Sequence, residues 1–256
     1  MKPRKIYDLA QPYFIGMPHY PAHSPYLYSL TKMHGEFVLD NGASSASETI
    51  TLGTHVGTHI DALAHFSCDG KLHGSIHPKQ SYAGGVEQHS VDTIAPIFRR
   101  GLLFDVAGFL GVDALPEDFV ITPEHLEACG ATLNSGDVAL IRTGWARFWN
   151  DPKRFILGGD GSIVRGPGPK LPAARFLSER GVFAAGSDTV AFEHVPSQME
   201  VHVHLLVEKG IHIIECLNLE QLARDGVKEF TFVALPLKIR GGTGSPVRPV
   251  AILEHL

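Results

Sequence analysis

The sequence predicts an α/β protein with a largely buried central sheet, and three observations carry that prediction. Short apolar runs have the length and composition of buried strands: GLLFDVAGF (101–109), DVALIRTGW (137–145), VFAAGSD (182–188), IHIIECLNL (211–219) and FTFVALPL (230–237). Helical segments bounded by Pro or Gly lie between them, at 121–133, 172–181, 198–209 and 219–226. The 44% hydrophobic and 19% charged fractions suit a chain with a sizeable core.

Each element has a local reason. From residue 5, IYDLAQPYFIG reads as a short strand and turn. The Pro-rich MPHYPAHSPY (17–26) cannot sustain a regular ladder. The stretch 37–51 leads into ETITLGTH, a plausible strand, and 67–90 is polar loop and turn. In ITPEHLEACGATL, Thr122 is placed to cap a helix, Pro123 suits its first position and Gly130 its stop. The loop GGDGSIVRGPGPK (158–170) lacks the GxxxxGK[ST] spacing of a phosphate loop and reads as a surface loop or lid. FTFVALPL reads as the final strand. With 256 residues and no linker-like stretch, the chain reads as one domain over 1–256.

Composition also excludes partners. The formal net charge is −5 with no basic stripe, so nucleic acid is not expected as a partner. No apolar run reaches the roughly 18 residues of a membrane span, so no membrane partner is expected. The opening MKPRKIYDLAQPYF has no apolar signal segment. Cys68, Cys129 and Cys216 show no CxxC spacing, which fits a reducing compartment; cytoplasm is the expected location.

Histidine is the unusual entry in the composition, with 15 copies. His55-Val-Gly-Thr-His59-Ile-Asp61-Ala-Leu-Ala-His65 gathers imidazoles and a carboxylate, the ligand types of zinc, manganese or iron. A straight helix points Asp61 away from the two histidines. A straight strand sets His55 and His59 about 13 Å apart, too far for metal bonds of about 2 Å. The segment must therefore bend, and Gly57 can do so without steric cost. The expected form is a sharp turn at Gly57 leading into a helical start, with the Thr58 hydroxyl tying it down. A second constellation lies at 198–215. His202 and His204 diverge by about 200° on a helix, so at most one faces a shared site. Glu215 stands inside an apolar strand, where a carboxylate needs a cation or donors.

HVGTHIDALAHF resembles the HxGTHxDxPxHF motif of the cyclase-like metal hydrolases, which include bacterial kynurenine formamidases and isatin hydrolases. YDL…GMPHYP, IRTGW (141–145), GSDT (186–189) and HVHLLVEKGIHIIECLNLEQL resemble further segments of that family, and GIHIIECLNLEQL with the C-terminal stretch sits on its isatin-hydrolase side. Leu63-Ala64 departs from the motif, which commonly has proline there. So does the step from His202 to Glu215, one residue longer than the formamidase pattern. The resemblance implies a mixed β/β/α domain, assembled as a homodimer or homotetramer. It implies His55, His59 and Asp61 as metal ligands, His202 and Glu215 as a second metal position or outer support, and His65 as the proton-transfer residue. Catalytic work is thus assigned to His65 and Glu215.

The expected cofactor is a divalent metal, Mn or Zn, as one or two ions. The expected activity is metal-assisted hydrolysis of a small-molecule amide or lactam, isatin-like or an N-formyl aryl amine. Tyr20 and Trp145 are the aromatic candidates for substrate contact. Two other readings share the same residues: a metal-dependent cyclase or lyase acting on a small carbonyl compound, and a non-catalytic metal-binding protein.

Overall fold

A computed structural model describes residues 5–253 apart from 160 and 162. The first four residues of the opening segment, and residues 160 and 162 of the 158–170 loop, lie outside the described residues.

In chain order the strands are β1 (Lys5–Asp8), β2 (Leu27–Lys32), β3 (Ser47–Thr51), β4 (His59–Asp61), β5 (Gln80–Ser81), β6 (Gly85–Val86), β7 (Ile97–Asp105), β8 (Val120–Ile121), β9 (Val138–Arg142), β10 (Gly168–Pro169), β11 (Ala184–Ser187), β12 (His212–Glu215), β13 (Glu229–Ala234), β14 (Gly244–Pro246) and β15 (Val250–Leu253). The helices are α1 (Val106–Phe109), α2 (Pro123–Ala128), α3 (Pro152–Leu157), α4 (Leu171–Glu179), α5 (Glu200–His202) and α6 (Glu220–Arg224). From α5 the chain winds on as a wider π-helix over Val203–Lys209. Nine strands form one mixed sheet in the order β1-β15-β13-β7-β9-β11-β12-β4-β14. Its centre, β7-β9-β11-β12, is parallel, and both flanks are antiparallel.

The parallel centre explains the continuous apolar runs. Successive side chains leave a strand on opposite faces, and both faces here are buried. Phe104, Ile141, Ala185 and Ile213 join one core cluster, with Leu126 of α2, Leu177 of α4 and Leu205 of the π-helix. Their neighbours Leu103, Leu140, Ala184 and Ile214 join the other, with Phe230, Phe232 and Leu222 of α6. The α/β expectation holds, and the helices connect the parallel strands.

Two expectations need correction. FTFVALPL is not the last strand. Residues 240–250 carry so many glycines and prolines that they read as loop, yet β14 and β15 follow, and β14 lies at the sheet edge, where Pro246 costs no ladder bond. The segment after Gly57 is not helical. Gly57 does make the turn, with φ of 71°, but residues 59–61 then run as β4 between β12 and β14. Thr58 fixes this geometry by accepting from Gln11 N at 2.8 Å and donating to Cys216 O at 2.7 Å.

Gly57 has a second reason to be glycine: a Cβ there would run into the Tyr13 ring. Gly57→Ala combines left-handed strain with overpacking, an expected loss of about 2–4 kcal/mol. Thermal or urea denaturation checks it; an unchanged unfolding midpoint would show that the turn tolerates a side chain.

Candidate metal centre

The sheet register assembles the centre. Antiparallel pairing sets Glu215 opposite His59 and Ile213 opposite Asp61, while Ile60 and Ile214 pair on the other face and enter the core. His59, Asp61 and Glu215 therefore project together from the face that the helices cover. His55, just before the Gly57 turn, folds back so that its Nδ1 meets Asp61 Oδ1 at 2.6 Å. Gly244 of β14 leaves room for this ring, since a Cβ there would strike it. Helix α5 delivers His202 from above, its Nε2 lying 3.2 Å from Glu215 Oε1 and 3.9 Å from Asp61 Oδ2. His204 points elsewhere, to Ser178 Oγ at 2.9 Å and Glu208 Oε2 at 2.7 Å.

Two buried triads result, His55-His59-Asp61 and Asp61-His202-Glu215, which share Asp61. Within each, the potential donor atoms lie within 4.8 Å of one another. Outer partners fix the ring orientations. His59 Nδ1 donates to Gly57 O at 2.8 Å, and His202 Nδ1 donates to Glu193 Oε2 at 2.6 Å. A neutral ring bound this way turns a bare Nε2 inward. For His59 that nitrogen faces carboxylate oxygens of Asp61 and Glu215, each at 3.5 Å. Lone pairs and carboxylates in such contact call for a shared cation. Asp61 Oδ2 is buried without a hydrogen-bond partner, which a cation would supply. The residues thus fit a divalent ion with nitrogen and oxygen ligands.

The charges already lean that way. Burial opposes ionisation of Asp61, yet the imidazoles of His65, His55 and His59 outweigh it and hold the carboxyl well below its usual range. Burial also opposes charge on His202, but Glu193 and Glu215 outweigh it and push that ring up to about 10. His65 goes the other way, lowered to about 3 chiefly by burial, with Asp61 opposing and His55 adding to the shift.

The centre opens onto a cavity of about 230 Å³. His65 lines it and stacks on His55 with ring centroids 3.7 Å apart. Tyr20 lines it too, tilted towards His23. Trp145 does not. It is buried, donates from Nε1 to Phe155 O at 3.0 Å and meets Phe148 edge-on. The expectation of substrate contact there is corrected, because this indole serves packing. Sequence reasoning missed three residues at the site. Glu193 grips both the ring and the backbone N of His202, the latter at 2.9 Å. A carboxylate inside the apolar VAFEHV was the same signal that marked Glu215. His23 lines the cavity and stacks on His55 at 5.3 Å, and Thr243 Oγ1 lies 2.9 Å from His55 Nε2. Neither had a local signal. The quoted segments IRTGW and GSDT meet at buried Asp188, which accepts from Thr143 N, Thr143 Oγ1 and Gly144 N.

Comparison with known proteins agrees with this arrangement. Residues 7–194 match the family model described as putative cyclase. The chain is similar to a kynurenine formamidase of Bacillus mycoides (strain KBAB4), 27% identical over 250 residues and 98% of both chains. It is similar to a solved structure of a novel cyclase, with TM-score 0.86 and 29% identity over 96% of this chain and 88% of that one. It is also similar to isatin hydrolase A from Ralstonia solanacearum, with TM-score 0.76 and 26% identity over 98% and 92%.

Asp61→Ala removes the group common to both triads, so metal retained through purification should fall to near background in elemental analysis. A variant that still carries its full metal would remove Asp61 from the ligand set. Glu193→Gln should weaken metal affinity about 10–100-fold by loosening His202. Competition with a chromogenic chelator measures this, and unchanged affinity would reduce Glu193 to a packing role.

Proposed function

This chain belongs to the putative cyclase family, and on that premise we propose that it is a metal-dependent hydrolase cleaving the C–N bond of small amides or lactams. The observation that carries the reading is the pair of triads sharing Asp61 at the floor of an open cavity. A purely structural metal site would be closed. His55, His59 and Asp61 are the first ligand set, with His202 and Glu215 completing a second position. The nitrogen and oxygen donors suit manganese or zinc. Bound there, a divalent ion supplies Lewis acidity, lowering the pKa of water and polarising a carbonyl.

The protein's own groups do the rest. Glu193 and Gly57 O hold two imidazoles in fixed orientation, so the ligand atoms need no rearrangement during the reaction. His65 faces the cavity beside His55, positioned to take a proton from water and return it to the leaving nitrogen. Phe66, Val190 and Ala191 line the same cavity with apolar surface, and Tyr20 adds an aromatic wall. Such a pocket suits a planar aryl amide, of the kind named in the two relatives: an N-formylated aryl amine or an isatin-like lactam. A cyclase reaction on a small carbonyl compound is the second reading, favoured by the name of the novel cyclase structure. Turnover in ¹⁸O-labelled water separates them, because only hydrolysis leaves one labelled oxygen in the product.

His65→Ala should retain the metal and lose about 10²–10⁴-fold in kcat on N-formylaniline or isatin. Metal content and turnover measured on one preparation test this. Loss of metal would make His65 a ligand, and undiminished turnover would pass the proton-transfer role to another group.

A further inference from the structure

We propose that the β2–β3 hairpin is an arm that docks on a second copy of this chain, against the apolar groove beside Leu235 and Leu237. From Leu27 to Thr51 every residue except Lys32 is exposed, and the two strands pair only with each other. An isolated two-stranded hairpin is at best marginally stable in water. Its register sorts the side chains by face. Tyr28 stands opposite Ile50 with Leu30 beside them, while Ser29, Thr31, Thr49 and Thr51 occupy the reverse face with Leu27. The turn adds Met33, Phe37, Val38 and Leu39, all more than half exposed. Eight large apolar side chains at roughly half exposure offer on the order of 800 Å², one side of a standard interface.

The rest of the chain carries a matching surface. Leu235 and Leu237, 62% and 56% exposed, line a groove of about 630 Å³ with Tyr13 and Pro246. The arm springs from the rim of that groove, for Tyr26 at its root meets Tyr13 edge-on at 5.6 Å. Arm and groove thus form one continuous surface, and a two-fold axis can lay each arm in its partner's groove. A lipid surface suits the arm less well, because Lys32 is its only Lys or Arg against Glu36, Asp40 and Glu48. Docking also bears on the cavity. The arm's base closes through Gly53 N to Ser24 O at 3.0 Å, next to His23 stacked on His55.

Sedimentation velocity of the intact chain tests the proposal, and its readout needs neither substrate nor metal, so it stands apart from the hydrolase reading. The wild-type chain should be a dimer. Leu30→Asp with Ile50→Asp, or Leu237→Asp alone, should raise the dimer dissociation constant at least about 100-fold, since each buries a carboxylate in an apolar contact. Ser29→Asp with Thr49→Asp, on the reverse face, should leave the dimer intact and guards against general damage. A monomeric wild type, or a dimer indifferent to the arm substitutions, overturns the proposal. Dissociation by the reverse-face pair overturns the face assignment, and indifference to Leu237→Asp overturns the groove as the seat.

Discussion

Burying Asp61 and Glu215 side by side is the constraint on which the rest depends. A carboxylate withdrawn from water is costly unless opposite charge or donors replace the solvent. Here the replacement comes from His55, His59 and His202, and each imidazole is steered from behind by an acceptor or hydroxyl. No single element supplies this set. A turn, an edge-side strand, a buried strand and a helix each give one or two members, so the sheet register serves as the ruler of the site.

The architecture divides its labour accordingly. The parallel strands build two cores by alternation and leave little room for polar chemistry. The antiparallel additions β4 and β14 extend the sheet beyond that packed centre, where one face can turn polar groups towards a cavity. Ile60 secures β4 to the core while its neighbours on either side carry ligand atoms.

Much of this was legible in the sequence, for reasons that also explain what was not. The central strands were readable because burial on both faces leaves an unbroken apolar run. The bend at Gly57 followed from distance arithmetic. What came after it could not follow, because β4 is a strand only by virtue of partners more than 150 residues away at Glu215 and beyond. His55, His59, Asp61 and Glu215 stood out as polar groups in apolar company, and Glu193 carried the same mark unread. Trp145 was assigned to substrate because aromatic residues suit a pocket; its indole N–H instead found a carbonyl inside the core. His23 and Thr243 reach the site only through tertiary folding, and no short-range pattern announces them.

The Thr243 contact with His55 has a consequence for biosynthesis. On a ribosome the histidines of the Gly57 turn emerge early, whereas the hydroxyl beside His55 is made only after nearly the whole chain. The fully supported arrangement is therefore the last thing translation can complete. A nascent chain stalled before that threonine would hold several ligands without the finished geometry, leaving metal capture largely to the released polypeptide.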